Sequence, residues 1–191
     1  MITNYQLQMK NSYIIQNILP ANELLLNNDV FLVVLYASRI PPHLAISVNG
    51  KLFTLTVKGA TVDGELKALL TLIRQKKIDT IFIKLTVPSF FTIDQLKSEI
   101  RKYTLAYPRV DIGLATCLAP IKDFCSEVYE ADMQKVNFLF DLLPELYKRN
   151  VISSCYQMNL DHYLVNNNFY LSRYSMQDIY EGIRSASTAV V

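Results

Sequence analysis

The chain has 191 residues, of which 51% are hydrophobic and 19% charged, and its formal net charge at pH 7 is +2. This length and composition indicate one folded domain and exclude a largely disordered chain. The lysines and arginines are scattered, so we predict no nucleic-acid partner. The mean hydropathy of +0.17 leaves room for the face of a homodimer.

Three cysteines give an odd count, without the close cysteine–histidine spacing of a zinc site. They are typical of reduced thiols, which predicts a cytoplasmic protein, with a single disulfide as the alternative. The N-terminus lacks the apolar core of a signal peptide, and the longest apolar run is too short for a transmembrane helix. We expect no transmembrane segment, and the lack of nucleotide-binding motifs predicts no cofactor.

The first predicted element is a buried strand at 29–36, where β-branched and aromatic residues form a continuous run. A hairpin follows, in which Asn49 and Gly50 separate "HLAISV" from "KLFTLTV". Asn-Gly between two such runs is a strong hairpin signal because both turn positions need a positive φ. His43 begins the first strand of this hairpin.

The middle of the chain alternates between helix and strand. Apolar residues at helical spacing predict a helix at 64–77, and a strand follows at 79–87. The segment "TIDQ", which begins at Thr92, is typical of a capping box and opens a helix that stops before Pro108.

The last third is predicted to hold a helix from about Phe124 to Phe140, a short helix opened by Pro144, and a second hairpin around three asparagines. The final residues, "SASTAVV", indicate a frayed tail. The resulting fold class is α+β, with an antiparallel sheet packed by helices. We assign 1–28 to an N-terminal extension, 29–175 to a single domain, and 176–191 to a C-terminal helix or tail.

Cys125, in "DFCSEVYEAD", is the main candidate for chemistry. If Asp123 caps the helix, Cys125 lies in the first turn, where unpaired N–H groups and the helix dipole favour a thiolate. Of the two histidines, His43 starts a strand directly after two prolines. A cysteine at a helix start and a histidine on a strand are what a Cys–His nucleophilic pair requires. The alternative is that Cys125 is a buried, inert thiol.

The remaining candidates have weaker support. Cys155 and His162 could form a second thiol–imidazole pair, although nothing in the sequence positions them, and Cys117 is assigned to packing. Glu127 and Glu130 lie three residues apart and are expected on a solvated helix face.

The segments "HLAISVNGKLFTLTVKG" and "FCSEVYEA" together resemble the circularly permuted NlpC-type cysteine hydrolases, papain-fold relatives that include the YiiX-like proteins. The resemblance covers roughly 29–149 in the same order of elements, and the "CSEVY" box is its most specific motif. It implies a permuted papain-like domain at 29–175, with Cys125 as nucleophile and His43 as general base. The residue that orients the histidine in this family is often a glutamate, and here Thr56 stands at that position.

The function that the resemblance implies is that of a thiol hydrolase or acyltransferase acting on an amide, peptide or (thio)ester bond. Peptides, cell-wall fragments and lipid acyl groups are the substrates it allows. The alternative is a weakened or inactive scaffold that serves as a binding or assembly module. Thr56 favours this alternative because a threonine cannot offset an imidazolium charge as a carboxylate does.

Overall fold

A computed structural model describes residues 12–188 of the chain. Within these residues the strands are β1 (Ser12–Ile15), β2 (Ile18–Pro20), β3 (Val30–Leu35), β4 (His43–Val48), β5 (Lys51–Thr56), β6 (Gly59–Glu65), β7 (Thr80–Leu85), β8 (Ile152–Met158), β9 (Leu164–Val165) and β10 (Asn168–Ser172). The α-helices are α1 (Glu23–Leu26), α2 (Leu66–Lys76), α3 (Ile93–Leu105), α4 (Ala119–Tyr129), α5 (Leu139–Lys148) and α6 (Met176–Thr188).

A seven-stranded sheet forms the centre of the molecule, in the order β2-β8-β7-β3-β4-β5-β6. Its strands are antiparallel except for the parallel pair β2 and β8. A separate antiparallel sheet has the order β1-β10-β9. The protein is therefore α+β with a largely antiparallel sheet, as the sequence predicts.

The central strand β3 explains why both faces of the large sheet are covered. All six of its residues are buried, and alternate side chains join different apolar clusters. Helices α3, α4 and α5 cover one face, and α2 covers the other. Full burial of a side chain such as Phe31 stabilises the fold by roughly 1.5–3 kcal/mol relative to exposure.

The local turn and cap signals of the sequence are confirmed. Asn49 and Gly50 have φ values of 47° and 75° and connect β4 to β5. At the start of α3, the Thr92 backbone N–H donates to Gln95 Oε1 at 2.7 Å, and the Gln95 N–H donates to Thr92 Oγ1 at 3.2 Å. The second hairpin is also present, between β9 and β10.

The predicted helix at 124–140 is wrong. The structure has two helices instead: α4 begins at Ala119 and ends at Tyr129, and α5 begins at Leu139. Pro120 lies in the first turn of α4, where the missing N–H of a proline costs nothing because that group has no helical partner. Pro144 lies inside α5 and does not open a helix.

Both ends of the described chain contain more regular secondary structure than the sequence predicts. In the segment assigned to an N-terminal extension, β2 pairs with β8 and β1 pairs with β10; residues 1–11 lie outside the described residues. At the other end, the first four residues of the predicted tail belong to α6, and 189–191 are outside the described residues. None of the helices in the described part of the chain has the length and apolarity needed to cross a bilayer.

Candidate thiol–imidazole site

A cleft of about 670 Å³ opens where β4 begins, between the loop that precedes this strand and helix α6. This volume lies in the usual range for small-molecule sites. Much of the wall is apolar, and the polar or reactive side chains that line it include Arg39, His43, Thr56, Cys117, Asn137 and Tyr174. The structure thus brings one histidine and one cysteine to the same cleft.

The His43 ring is held by Thr54, two strand residues before Thr56 on β5. The distance from His43 Nε2 to Thr54 Oγ1 is 2.9 Å. Thr54 Oγ1 donates its own hydrogen to the Leu44 carbonyl oxygen at 3.2 Å. Because a hydroxyl carries one hydrogen, Thr54 must accept from His43, which places the imidazole proton on Nε2. The unprotonated Nδ1 is then the nitrogen that can act as a base.

Burial keeps His43 neutral. It lowers the pKa of the imidazole from 6.5 to about 4. A charged ring in this position would lose hydration without gaining a carboxylate partner, so the neutral form is favoured. At neutral pH His43 can accept a proton, but it does not supply a positive charge that would stabilise a thiolate.

Cys117 occupies the position expected for a thiol at a helix start. It immediately precedes Leu118, the N-terminal cap residue of α4, and it is a partly exposed residue that lines the cleft. Burial raises the pKa of the thiol, while the backbone N–H groups of Leu44 and of Cys117 itself lower it. Since Leu44 follows His43 directly, its influence indicates that the sulfur lies towards the first residues of β4.

Cys125 does not occupy the predicted position. It lies in the middle of α4, its exposed fraction is 0%, and it is not part of the cleft lining. Burial raises the pKa of its thiol to about 12. Asp123 is not the cap of this helix; it lies within α4 and accepts a hydrogen bond from the Tyr107 hydroxyl at 2.6 Å.

Thr56 also differs from its predicted role. It lines the cleft, but its hydroxyl donates to the Gly59 carbonyl oxygen at 3.1 Å and accepts from the Lys58 N–H at 3.2 Å. These bonds stabilise the turn between β5 and β6. The hydroxyl that contacts His43 belongs to Thr54, two residues before Thr56 on the same strand.

The second thiol–imidazole pair considered from the sequence is not formed. Cys155 is buried on β8, and its sulfur lies 4.0 Å from the Tyr147 hydroxyl. Burial raises the pKa of this thiol to about 11. His162 is exposed in a short 3₁₀ turn. Glu127 is exposed on α4 as expected, whereas Glu130 is exposed but lies just beyond the end of the helix.

The sequence does contain a signal for Cys117 that the prediction missed. Ile121, Phe124, Cys125 and Val128 are spaced at i, i+3, i+4 and i+7, and all four are buried. This pattern assigns Cys125 to the core face of a helix. With Pro120 read as a first-turn residue, the helix start moves back to the neighbourhood of Cys117.

Thiol and imidazole are not in direct contact in this arrangement. Within residues 12–188, the His43 ring is hydrogen-bonded to Thr54 and to no cysteine sulfur. The same residues contain no cluster of three or more histidine, cysteine, aspartate or glutamate side chains suited to hold a metal ion. The chemistry that this geometry can carry is therefore that of a neutral thiol beside a neutral base.

Comparison of the chain with protein-family models, with curated proteins and with solved structures found no match.

Proposed function

We propose that the protein is a thiol hydrolase or acyltransferase in which Cys117, and not Cys125, is the nucleophile and His43 is the general base. The observation that carries this proposal is that Cys117 and His43 line one solvent-open cleft. Cys117 lies at a helix start, and Thr54 fixes His43 with Nδ1 unprotonated. A nucleophile, a base and a group that orients the base are the three parts that this chemistry needs.

In the proposed reaction, the Cys117 sulfur attacks the carbonyl carbon of an amide, peptide or (thio)ester. The thiol proton passes to His43 Nδ1 as the carbon–sulfur bond forms, and His43 then returns it to the leaving group. Substrate binding has to bring the two groups into contact, which is common for catalytic hydrogen bonds that are long in the free protein.

The proposed fold is the permuted papain-like arrangement. The order of elements supports it: a histidine at the start of β4, the β4–β5 hairpin, and, later in the chain, a cysteine at the start of a helix packed on the same sheet. A cytoplasmic location is part of the proposal, since the three cysteines are free thiols. Peptides, cell-wall fragments and lipid acyl groups remain the proposed substrates.

A second function is favoured by one specific observation. Burial lowers the pKa of His43 and raises the pKa of Cys117, so both groups are neutral and no ion pair exists at rest. This is what a non-catalytic binding or assembly module on the same scaffold would show. The two proposals differ in whether His43 changes the reactivity of Cys117.

The experiment is alkylation by iodoacetamide near neutral pH, followed by tryptic peptide mass spectrometry. Cleavage after Lys122 separates Cys117 from Cys125, so both rates are read in one sample. We expect Cys117 to react much faster than Cys125, and His43→Ala to slow Cys117 alone. Equal rates of Cys117 alkylation in the wild type and in His43→Ala would reject the proposed enzymatic function and favour the binding module.

A further inference from the structure

Tyr174 lines the same cleft as Cys117, and its hydroxyl is anchored by a helix N–H. It lies in the short connection between β10 and α6, two residues before the helix begins, and is half-buried in the cleft wall. Its ring centroid lies 5.4 Å from that of Phe138 and 5.1 Å from that of Phe140, edge-on in both cases. Two aromatic contacts of this kind fix the direction of the ring.

The hydroxyl of Tyr174 is bonded in a way that leaves its hydrogen available. Its oxygen accepts from the Leu139 backbone N–H at 3.3 Å. Leu139 is the first residue of α5, so this N–H belongs to the set that has no partner within the helix. Among residues 12–188, no acceptor takes the hydroxyl hydrogen of Tyr174. That hydrogen can therefore be donated into the cleft.

The surroundings of Tyr174 keep its phenol protonated. Burial raises the pKa of Tyr174, the Leu139 N–H lowers it, and the negative charges of a Cys117 thiolate and of Asp141 raise it further. The Asp141 carboxylate also accepts hydrogen bonds from the Asn137 and Phe138 N–H groups at the start of α5. The phenol thus keeps its proton at neutral pH and can act as a donor.

We propose that Tyr174 is a catalytic residue of this site, whose phenolic O–H donates a hydrogen bond to the oxyanion that forms when Cys117 attacks a carbonyl carbon. The inference rests on the proposed function and adds a group that the sequence did not indicate. Donors held in advance at the position of a developing oxyanion stabilise acyl-transfer transition states strongly. Tyr174 is held in advance by two rings and by a helix N–H.

Acylation by p-nitrophenyl acetate shows where this hydrogen bond acts. The sulfur forms a bond to the carbonyl carbon, the π electron pair moves to the oxygen, and the thiol proton passes to His43. The oxyanion then collapses, the C=O bond reforms, and p-nitrophenolate leaves, so that Cys117 carries an acetyl thioester. Alkylation of the same sulfur by iodoacetamide displaces iodide and forms no oxyanion.

The test compares these two reactions at Cys117 in the wild-type protein and in Tyr174→Phe, which keeps the ring contacts. We expect acylation to slow by about 10²- to 10³-fold, the usual loss for one oxyanion donor, and alkylation to stay unchanged. Tyr107→Phe is the matched control, since the Tyr107 hydroxyl is also hydrogen-bonded but does not line the cleft. We expect both of its rates to equal those of the wild type.

Other outcomes separate the two proposals. If Tyr174→Phe slows both reactions equally, the residue acts only through packing, and if it slows neither, the hydroxyl has no role; each result overturns the inference and leaves Cys117 as nucleophile. If wild-type Cys117 is not acylated at all while the protein is folded, the proposed function fails, and the role of Tyr174 fails with it.

Discussion

The buried imidazole of His43 should make the stability of the protein depend on pH in a way that one substitution removes. In the unfolded chain a histidine binds a proton with a pKa near 6.5, whereas burial lowers the pKa of His43 in the folded protein to about 4. Between these two values the unfolded state binds more protons than the folded state. The contribution of His43 to stability is therefore fully present above the pKa of the unfolded state and is lost as the pH falls through the pKa of the folded state.

The magnitude follows from the size of the shift. A difference of about 2.5 in pKa, at about 1.4 kcal/mol per unit, corresponds to a loss of about 3.5 kcal/mol when the pH falls from about 7 to well below 4. Because the ring is partly exposed in the cleft, solvent screening makes this an upper value. A loss of this size is a large fraction of the stability of a typical domain.

Urea unfolding at about pH 7 and about pH 4.5 measures the effect, with His43→Gln as the variant that cannot titrate. Carboxyl groups change stability with pH in both proteins, so the informative quantity is the difference between the two pH dependences. We expect the free energy of unfolding to fall by about 2–3 kcal/mol more in the wild type than in His43→Gln. Equal falls would refute the view that His43 is buried in its neutral form.

Three further predictions test other parts of the structure. Thr54→Val should slow alkylation of the cleft thiol by about fivefold to tenfold, which corresponds to the loss of one hydrogen bond. Thr56→Val should leave this rate unchanged, because its hydroxyl bonds within the β5–β6 turn. The opposite result would contradict the assignment of Thr54 as the residue that orients His43. Cys125→Ala should lower the free energy of unfolding by about 1 kcal/mol, because it leaves a cavity in the core. The alkylation rate of Cys117 should stay unchanged. Loss of this alkylation in Cys125→Ala would indicate that Cys125 is the nucleophile. Gly182→Val should weaken the packing of α6, because a Cβ at this position would lie 3.1 Å from Pro41 Cδ. We expect the free energy of unfolding to fall by about 1–3 kcal/mol. An unchanged urea midpoint would show that Pro41 moves aside without cost.

Much of the central sheet could be predicted from the sequence because its signals are local. The continuous apolar run of β3 and the Asn49-Gly50 turn specify their conformations without information from distant residues. Strands β6 and β8 were missed because "GATVDGE" and "ISSCYQM" lack the apolar alternation on which strand prediction depends. They become strands because neighbouring strands offer backbone groups that have to be paired.

Of the histidine and the cysteine that line the cleft, the sequence singled out His43 but not Cys117. His43 was identified because the sequence has two histidines and one of them begins a strand. The choice of cysteine depended on a helix boundary, which is the least reliable feature of a sequence-based assignment. The contact of His43 with Thr54 depends on how β4 and β5 lie side by side in the folded sheet, which no local pattern reveals.

The parallel pair β2–β8 and the position of α6 set the order in which the molecule can be built during synthesis. The Asn17 N–H donates a hydrogen bond to the side chain of Asn168, a residue 151 positions later in the chain. The first strands therefore cannot form their native contacts until the last ones have been synthesised. Strands β3, β4 and β5 are neighbours in sequence and can pair early. Because α6 is synthesised after every other element of the described chain, the cleft wall that it forms closes last. A nascent chain not yet extended through α6 would therefore lack one wall of the cleft that His43 and Cys117 line.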